Sequence, residues 1–441
     1  ALSTLPPDVT YYQHALPILK KNCIGCHGGD SPKGDLNLET LDGLKQGGKK
    51  GQPLVPGKPG ESLIYLLASR EKKPSMPPKK EDALKDEEIE VLRLWIDGGA
   101  RPGEPVAEAA PYSRPLEPPV YPRPPIVPAL AYSADGKRLF IAGYREVLVH
   151  EAEPEATGSQ VPAVPLARLL GEAERINALA VSPDGKHLAA AGGSPALFGE
   201  LQLWSTEDGK LERFARIGRD TLFAAAFSPD SKWIAAGGTD RAIHLLEVET
   251  GKELYASEVH SDWIFGLAFT LDGSRIASGG RDKTVKLSEA AGGKLVSTLG
   301  SFNEPIFSVQ ARPGTAFVLG SGEGRTPTLL DAKELKEVRK YEGQPGAVLA
   351  TAFSADGKLF AAGGSGDEVR VHAAEDGARK ATFRGHKEWI YAVAFRPDGE
   401  RLATAGYEGV VRIYGLKDEK EKRSFIPICV SSVPSGKAGG N

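Results

Sequence analysis

A four-residue element of the form Ser-Pro-Asp-Gly returns seven times along this 441-residue chain, and no other feature narrows its possible folds as much. The copies are Ser133-Ala134-Asp135-Gly136, Ser182-Pro183-Asp184-Gly185, Ser228-Pro229-Asp230-Ser231, Thr270-Leu271-Asp272-Gly273, the degenerate Ala311-Arg312-Pro313-Gly314, Ser354-Ala355-Asp356-Gly357 and Arg396-Pro397-Asp398-Gly399. Their spacings are 49, 46, 42, 41, 43 and 42 residues. Asp-Gly supplies the positive-φ positions of a tight hairpin, and each copy joins two short apolar segments, as between Ala224-Ala225-Ala226-Phe227 and Trp233-Ile234-Ala235-Ala236. Each repeat therefore reads as a small antiparallel sheet. One such sheet cannot bury both faces, whereas seven around an axis can, so the spacing predicts an all-β, seven-bladed propeller over residues 127–430. Phe425 to Val430 is expected to supply the last outer strand, the alternative being closure by part of the preceding linker. Residues 431–441 are small, polar and Gly-rich and read as a flexible tail.

That linker is Arg101 to Ile126, where nine of 26 residues are proline. Proline at this density favours stiff, extended backbone and withholds the donors that a central strand needs. The flanking regions are thus expected to fold separately. Residues 1–100 form a small all-α domain: Tyr11 to Lys21 and Asp86 to Ile96 have helical spacing, the second apolar at Ile89, Leu92 and Ile96 and ended by Gly98 and Gly99.

Composition removes several classes of function. With 55 Lys plus Arg against 58 Asp plus Glu the net charge is -3, so no overall pull toward nucleic acid is expected. The longest apolar runs fall far short of a membrane span. Of three cysteines, two share one pentapeptide, which leaves no disulfide framework.

That pentapeptide, Cys23-Ile24-Gly25-Cys26-His27, has the spacing of a c-type haem attachment site. On a helix, residues i, i+3 and i+4 share a face, so Cys23 and Cys26 can form thioethers with a porphyrin edge while the His27 imidazole reaches the iron. A zinc site would need a second cysteine pair, which the chain lacks. The sixth ligand of an electron-transfer haem is His or Met, and the single methionine, Met76, lies in Ser75-Met76-Pro77-Pro78, where no packing periodicity accounts for it. His14, nine residues before Cys23, is the rival, but its place on the same helix sets it against reaching the opposite haem face. One covalent haem c with His27 and Met76 as axial iron ligands is the expectation. Lys72, Lys73, Lys79 and Lys80 surround Met76 and form a positive rim suited to an acidic redox partner, or simply a solvated basic loop. Haem of this type is attached outside the bacterial cytoplasm, so a periplasmic or otherwise exported protein with its signal peptide removed is expected.

Several segments carry a resemblance. Pro17-Ile18-Leu19, Cys23 to His27, Val55-Pro56-Gly57, Met76-Pro77-Pro78 and Leu94-Trp95-Ile96-Asp97-Gly98-Gly99-Ala100 look like planctomycete-type cytochrome c domains. The likeness implies a class I cytochrome c fold, His27 and Met76 as axial ligands, and Leu92, Trp95 and Ile96 packed on the attachment helix. The later repeats resemble WD-repeat propellers, with His260 before Trp263 and His386 before Trp389, although the Trp-Asp ending is lost and only Trp204-Ser205 echoes it. This second likeness implies buried networks of His260 with Ser278 and Asp282, and of His386 with Thr404 and Glu408. His150, His187, His244 and His372 read as structural, with no clustered carboxylate, and Cys429, between Ile428 and Val430, reads as an inert buried thiol.

Two functions compete. The first is an electron-transfer cytochrome whose propeller is a protein-interaction or assembly platform, possible within a multi-subunit periplasmic complex. The second is an oxidoreductase in which the propeller binds a substrate or second cofactor and the c haem relays electrons, as in nitrite reductases that join a cytochrome c domain to an eight-bladed propeller. Seven repeats rather than eight, and no inward pair of histidines for a second haem, favour electron transfer over a stand-alone enzyme.

Overall fold

Proline-rich sequence between two differently patterned regions should separate them, and the chain does divide into two units, Ala1–Ser113 and Arg114–Asn441. The structure is a computed structural model that describes residues 9–27, 33–38, 41–78, 83–103, 116–153, 162–218 and 220–430. The tail expected at 431–441 lies outside these residues.

The first unit is helical. A single π-helical turn, Tyr11–Ala15, runs into α1, Leu16–Asn22, and a kink at Cys23 (φ -130°, ψ -38°) separates α1 from the one-turn α2, Ile24–His27. α3 spans Leu41–Gln46, α4 Leu63–Ala68 and α5 Asp86–Asp97. α5 starts where Asp86, Glu87 and Glu88 complement the positive helix end and Glu88 accepts the Lys85 N–H at 2.9 Å. It stops at Gly98, with Gly99 taking φ +87°. Leu92, Trp95 and Ile96 of α5 share one buried core with Tyr11, Ala15 and Leu19. The Tyr11 and Trp95 rings lie 5.6 Å apart, and the Arg101 carbonyl accepts both the Tyr11 N–H and Trp95 Nε1–H. The first and last helical segments of the unit therefore hold each other.

The second unit is almost wholly β, in six antiparallel sheets, each a meander of consecutive strands. The first has seven strands within Leu130–Ile217, and the others have four each, within 222–258, 264–301, 306–340, 348–384 and 390–425. The seven-stranded sheet is two four-stranded sets joined by one long strand, Ala167–Val181, whose first part pairs with Tyr144–Glu151 and last part with His187–Ser194. All seven sequence marks turn the chain between the first and second strands of a set. In five of them the hydroxyl of the first residue donates to the aspartate and accepts an N–H from beyond the turn; Ser133 reaches Asp135 at 2.6 Å and takes the Arg138 N–H at 2.9 Å. Arg396 replaces that hydroxyl with an ion pair to Asp398 at 2.6 Å.

Each sheet stays open at its edges, and neighbours meet through side chains. Seven apolar clusters form, each shared by consecutive four-stranded sets, and one unites the first set with the last: Leu139 and Ile141 pack with Ala403, Val411, Ile413 and Phe425. Arg396 and Arg401 of the last set also reach Glu153 of the first, both at 2.8 Å.

Three expectations are corrected here. The last outer strand is Lys420–Phe425 rather than Phe425 to Val430, which runs on as a strap. In it the Ile426 carbonyl accepts the Ala163 N–H at 2.8 Å, and the Pro427 carbonyl meets His150 Nε2 at 2.7 Å. Cys429 is exposed, just beyond the point where the buried run from Ser424 to Ile428 ends. The last part of the linker is no free spacer but lies against the β unit. Its prolines leave carbonyls without competing donors, and Arg168 Nη2 takes that of Pro119 at 2.7 Å. Buried Tyr121 donates to Glu146 at 2.7 Å, and the Val127 N–H bonds the Gly406 carbonyl.

Candidate functional site

The kink at Cys23 sets one turn of helix apart from α1, and within it the His27 N–H bonds the Cys23 carbonyl at 3.0 Å. Cys23 and His27 are thereby one turn apart on the same face. The Cys23 side chain is half-buried against the helical core, and His27 is half-buried, with its Nδ1 enclosed and without a hydrogen-bond partner among the described residues. Cys26 is the third residue of α2, and its side chain lies outside the described set. The His27 carbonyl takes the Leu38 N–H at 2.7 Å.

Met76 is brought to the unit by the end of α4. Its N–H bonds the Leu67 carbonyl at 3.0 Å, the Lys72 N–H bonds that of Leu66 at 2.9 Å, and Arg70 Nη2 donates to the Pro77 carbonyl at 3.2 Å. Met76 is half-buried. α4 is braced in turn by Ser62, fully buried, whose Oγ accepts the Val55 N–H and bonds the Val55 and Lys58 carbonyls, while the Gly57 N–H bonds Ile96 at the end of α5. Val55-Pro56-Gly57 thus ties the Met76 arm to the last helix. Lys72 and Lys73 are exposed beside Met76; Lys79 and Lys80 lie outside the described residues. His14 is taken up locally, its Nδ1 accepting the Thr10 N–H at 3.1 Å.

These residues suit a covalently held haem c. A thiol and an imidazole share one helical face, and the enclosed His27 Nδ1 has no partner among the described residues, while Leu36, Ile64 and Tyr65 are half-buried against the same helical core as Cys23. Sequence reasoning passed over Arg70 and Ser62. Only the first left a signal, a bulky residue immediately after a helix where glycine is usual.

In the β unit the histidine networks have the implied partners. His260 Nε2 meets Ser278 Oγ at 2.8 Å and its Nδ1 meets Asp282 at 2.9 Å; His386 meets Thr404 at 2.6 Å and Glu408 at 2.7 Å. Burial lowers the pKa of His260, while burial is outweighed at Asp282, where hydrogen bonds from Thr284 and His260 hold the carboxyl down at about 2. His244 departs from expectation: it lies between Asp240, at 2.7 Å, and Glu253, at 2.6 Å, and these bonds overcome its burial and raise its pKa to about 9. The two carboxylates engage opposite ring nitrogens, so they brace the ring instead of forming a cage. Among the described residues no three His, Cys, Asp or Glu side chains gather as a metal site. A cavity of about 1200 Å³ lies where the first strands of the seven sets converge, lined by Leu130, Asn177, Phe223, Phe265, Phe307 and Tyr391 among others.

Comparison with known families agrees with this division. Residues 23–80 match the family model of planctomycete cytochrome C, a stretch that contains the attachment turn and Met76. The model of the WD domain, G-beta repeat, matches residues 163–194, 217–246, 251–287, 335–372 and 377–415, and the gap from 288 to 334 holds the degenerate turn at Ala311. No curated protein matches the chain. Among the described residues no helix is long and apolar enough to cross a membrane. The chain joins a planctomycete cytochrome c domain, a family that implies haem c, to a region of WD repeats.

Proposed function

We propose that this protein is an exported mono-haem c-type cytochrome that transfers electrons, with the WD-repeat unit as its protein-interaction or assembly platform. The observation that carries the reading is the hydrogen-bonded Cys23–His27 turn, inside a stretch matched by the cytochrome family, with a half-buried imidazole whose Nδ1 is enclosed. Cys23 and Cys26 would hold one haem through thioethers, with His27 and Met76 as the residues that would ligate its iron. The group would supply one-electron chemistry when bound, and a Met76 thioether would favour its reduced state and a comparatively high potential. With His27 and Met76 both engaged, the reading is of electron transfer rather than substrate turnover at the iron. Lys72 and Lys73 would face an acidic partner, together with Lys79 and Lys80.

The platform is read as a seven-bladed propeller over 127–430, with 1–100 as the haem domain, 101–126 as the linker and 431–441 as the tail. Support for seven blades comes from the seven shared cores, including the one between the first and last sets. The docking of Tyr121 gives the linker a second task, fastening the approach to the first blade. The cavity at the convergence of the first strands supports the second reading, a propeller that holds a substrate or further cofactor.

Oxidised and reduced absorption spectra with a pyridine haemochrome assay test the proposal. One c-type haem per chain, with a weak red sulfur-to-iron band that Met76→Ala abolishes, is the expected result. Absence of covalent haem from protein matured in an oxidising compartment would refute it, and a second chromophore would transfer support to the enzyme.

A further inference from the structure

Arg70 stands at φ +65°, immediately after the Ser69 cap of α4. L residues occupy this left-handed region at a cost, and glycine is the usual occupant one step beyond a helix end. A strained arginine points to a use for its side chain. That side chain turns to the Met76 loop, where Nη2 donates to the Pro77 carbonyl at 3.2 Å. Met76 is thereby bracketed: its own N–H is fixed to Leu67, and the carbonyl of the next residue is fixed to the guanidinium. The two bonds restrain both peptide groups that flank the Met76–Pro77 junction, and the second is charge-assisted.

We infer that Arg70 is a positioning residue for Met76, a clamp that keeps the thioether seated on the iron and opposes its replacement by other ligands. This rests on the reading of Met76 as the axial ligand. The clamp acts on the equilibrium between closed and released loop, so its loss makes displacement of Met76 by an external ligand easier while the closed form still predominates.

The test is an imidazole titration of the oxidised holoprotein, followed through the weak red sulfur-to-iron band, for the native chain, Arg70→Gly and Met76→Ala. Glycine accepts φ +65° without strain, so Arg70→Gly should melt no lower than the native protein. It should nonetheless bind imidazole about tenfold more tightly, equivalent to about 1.4 kcal/mol, with its sulfur-to-iron band present before imidazole is added. Imidazole affinity within about twofold of native in Arg70→Gly, on a background where Met76→Ala abolishes the band, would overturn the clamp and leave the ligand assignment standing. A band and an affinity unchanged in Met76→Ala would overturn both.

Discussion

Removing the Tyr121 hydroxyl isolates the fastening of the linker to the β unit. In Tyr121→Phe the ring still fills its buried place, but the 2.7 Å bond to Glu146 is lost. Glu146 is fully buried and keeps both bonds from Arg168, at 2.6 and 2.7 Å, so its charge stays paired. The loss is then chiefly the hydrogen bond to a charged group, with the weaker 3.2 Å contact that the same hydroxyl makes to the Tyr144 carbonyl, about 2 kcal/mol. For a unit of this size that is about 4 °C in Tm. Arg168→Met does more: it leaves the Glu146 carboxylate buried and unpaired, about 3–5 kcal/mol, and frees the Pro119 carbonyl. Calorimetry on the purified holoprotein reads the stability, and proteinase K digestion with mass spectrometry reads release of the proline-rich segment. Cleavage should accelerate in both variants, most in Arg168→Met, while the helical unit melts as before. A Tyr121→Phe protein with native Tm and native cleavage rate would refute the reasoning, since it would mean that the segment is held by shape alone.

Two further outcomes follow from charge and exposure. The aspartates of the hairpin marks, Asp135, Asp230, Asp272 and Asp356, have lowered pKa values, chiefly through the hydroxyl of the first turn residue. Their stabilisation is complete above the unfolded carboxylate pKa and disappears as pH falls through the folded values, so thermal melts of the β unit should begin to drop below about pH 4. His244 has the opposite sign: with its folded pKa raised to about 9, its contribution is full below about pH 6.5 and is lost as pH rises through about 9, so His244→Gln should flatten that alkaline limb. An Ellman titration of the folded holoprotein should count one thiol per chain, Cys429, because thioether formation consumes Cys23 and Cys26. Three reactive thiols would contradict covalent attachment.

Local signals were legible where the physics is local. The Asp-Gly marks are hairpins because the turn conformation is a property of those four residues, and Asp86 to Ile96 is helical because its own spacing and termini agree. The attachment turn was readable for the same reason. Contacts across long separations left no comparable trace. Nothing near Tyr121 tells that its partners are Glu146 and Arg168, and the shared strand Ala167–Val181 arises from the way two sets meet rather than from its composition. Cys429 has apolar neighbours in the sequence yet is exposed, because the strap's buried run ends at Ile428, a boundary that its neighbours' composition does not mark. His244 shows a further blind spot: Asp240 is four residues back, but Glu253 faces it only through strand pairing.

The core shared by the first and last sets changes what it means for a repeat array to have ends. A linear solenoid needs capping repeats with a polar outer face, and it can be shortened one unit at a time with a gradual loss of stability. Here each terminal set is the other's cap. Removing either would bare two apolar faces at once, so truncation should cause aggregation instead of a smaller soluble fragment. A chain reopened at a surface loop between two inner sets, with its old ends joined, would keep all seven shared cores and should fold.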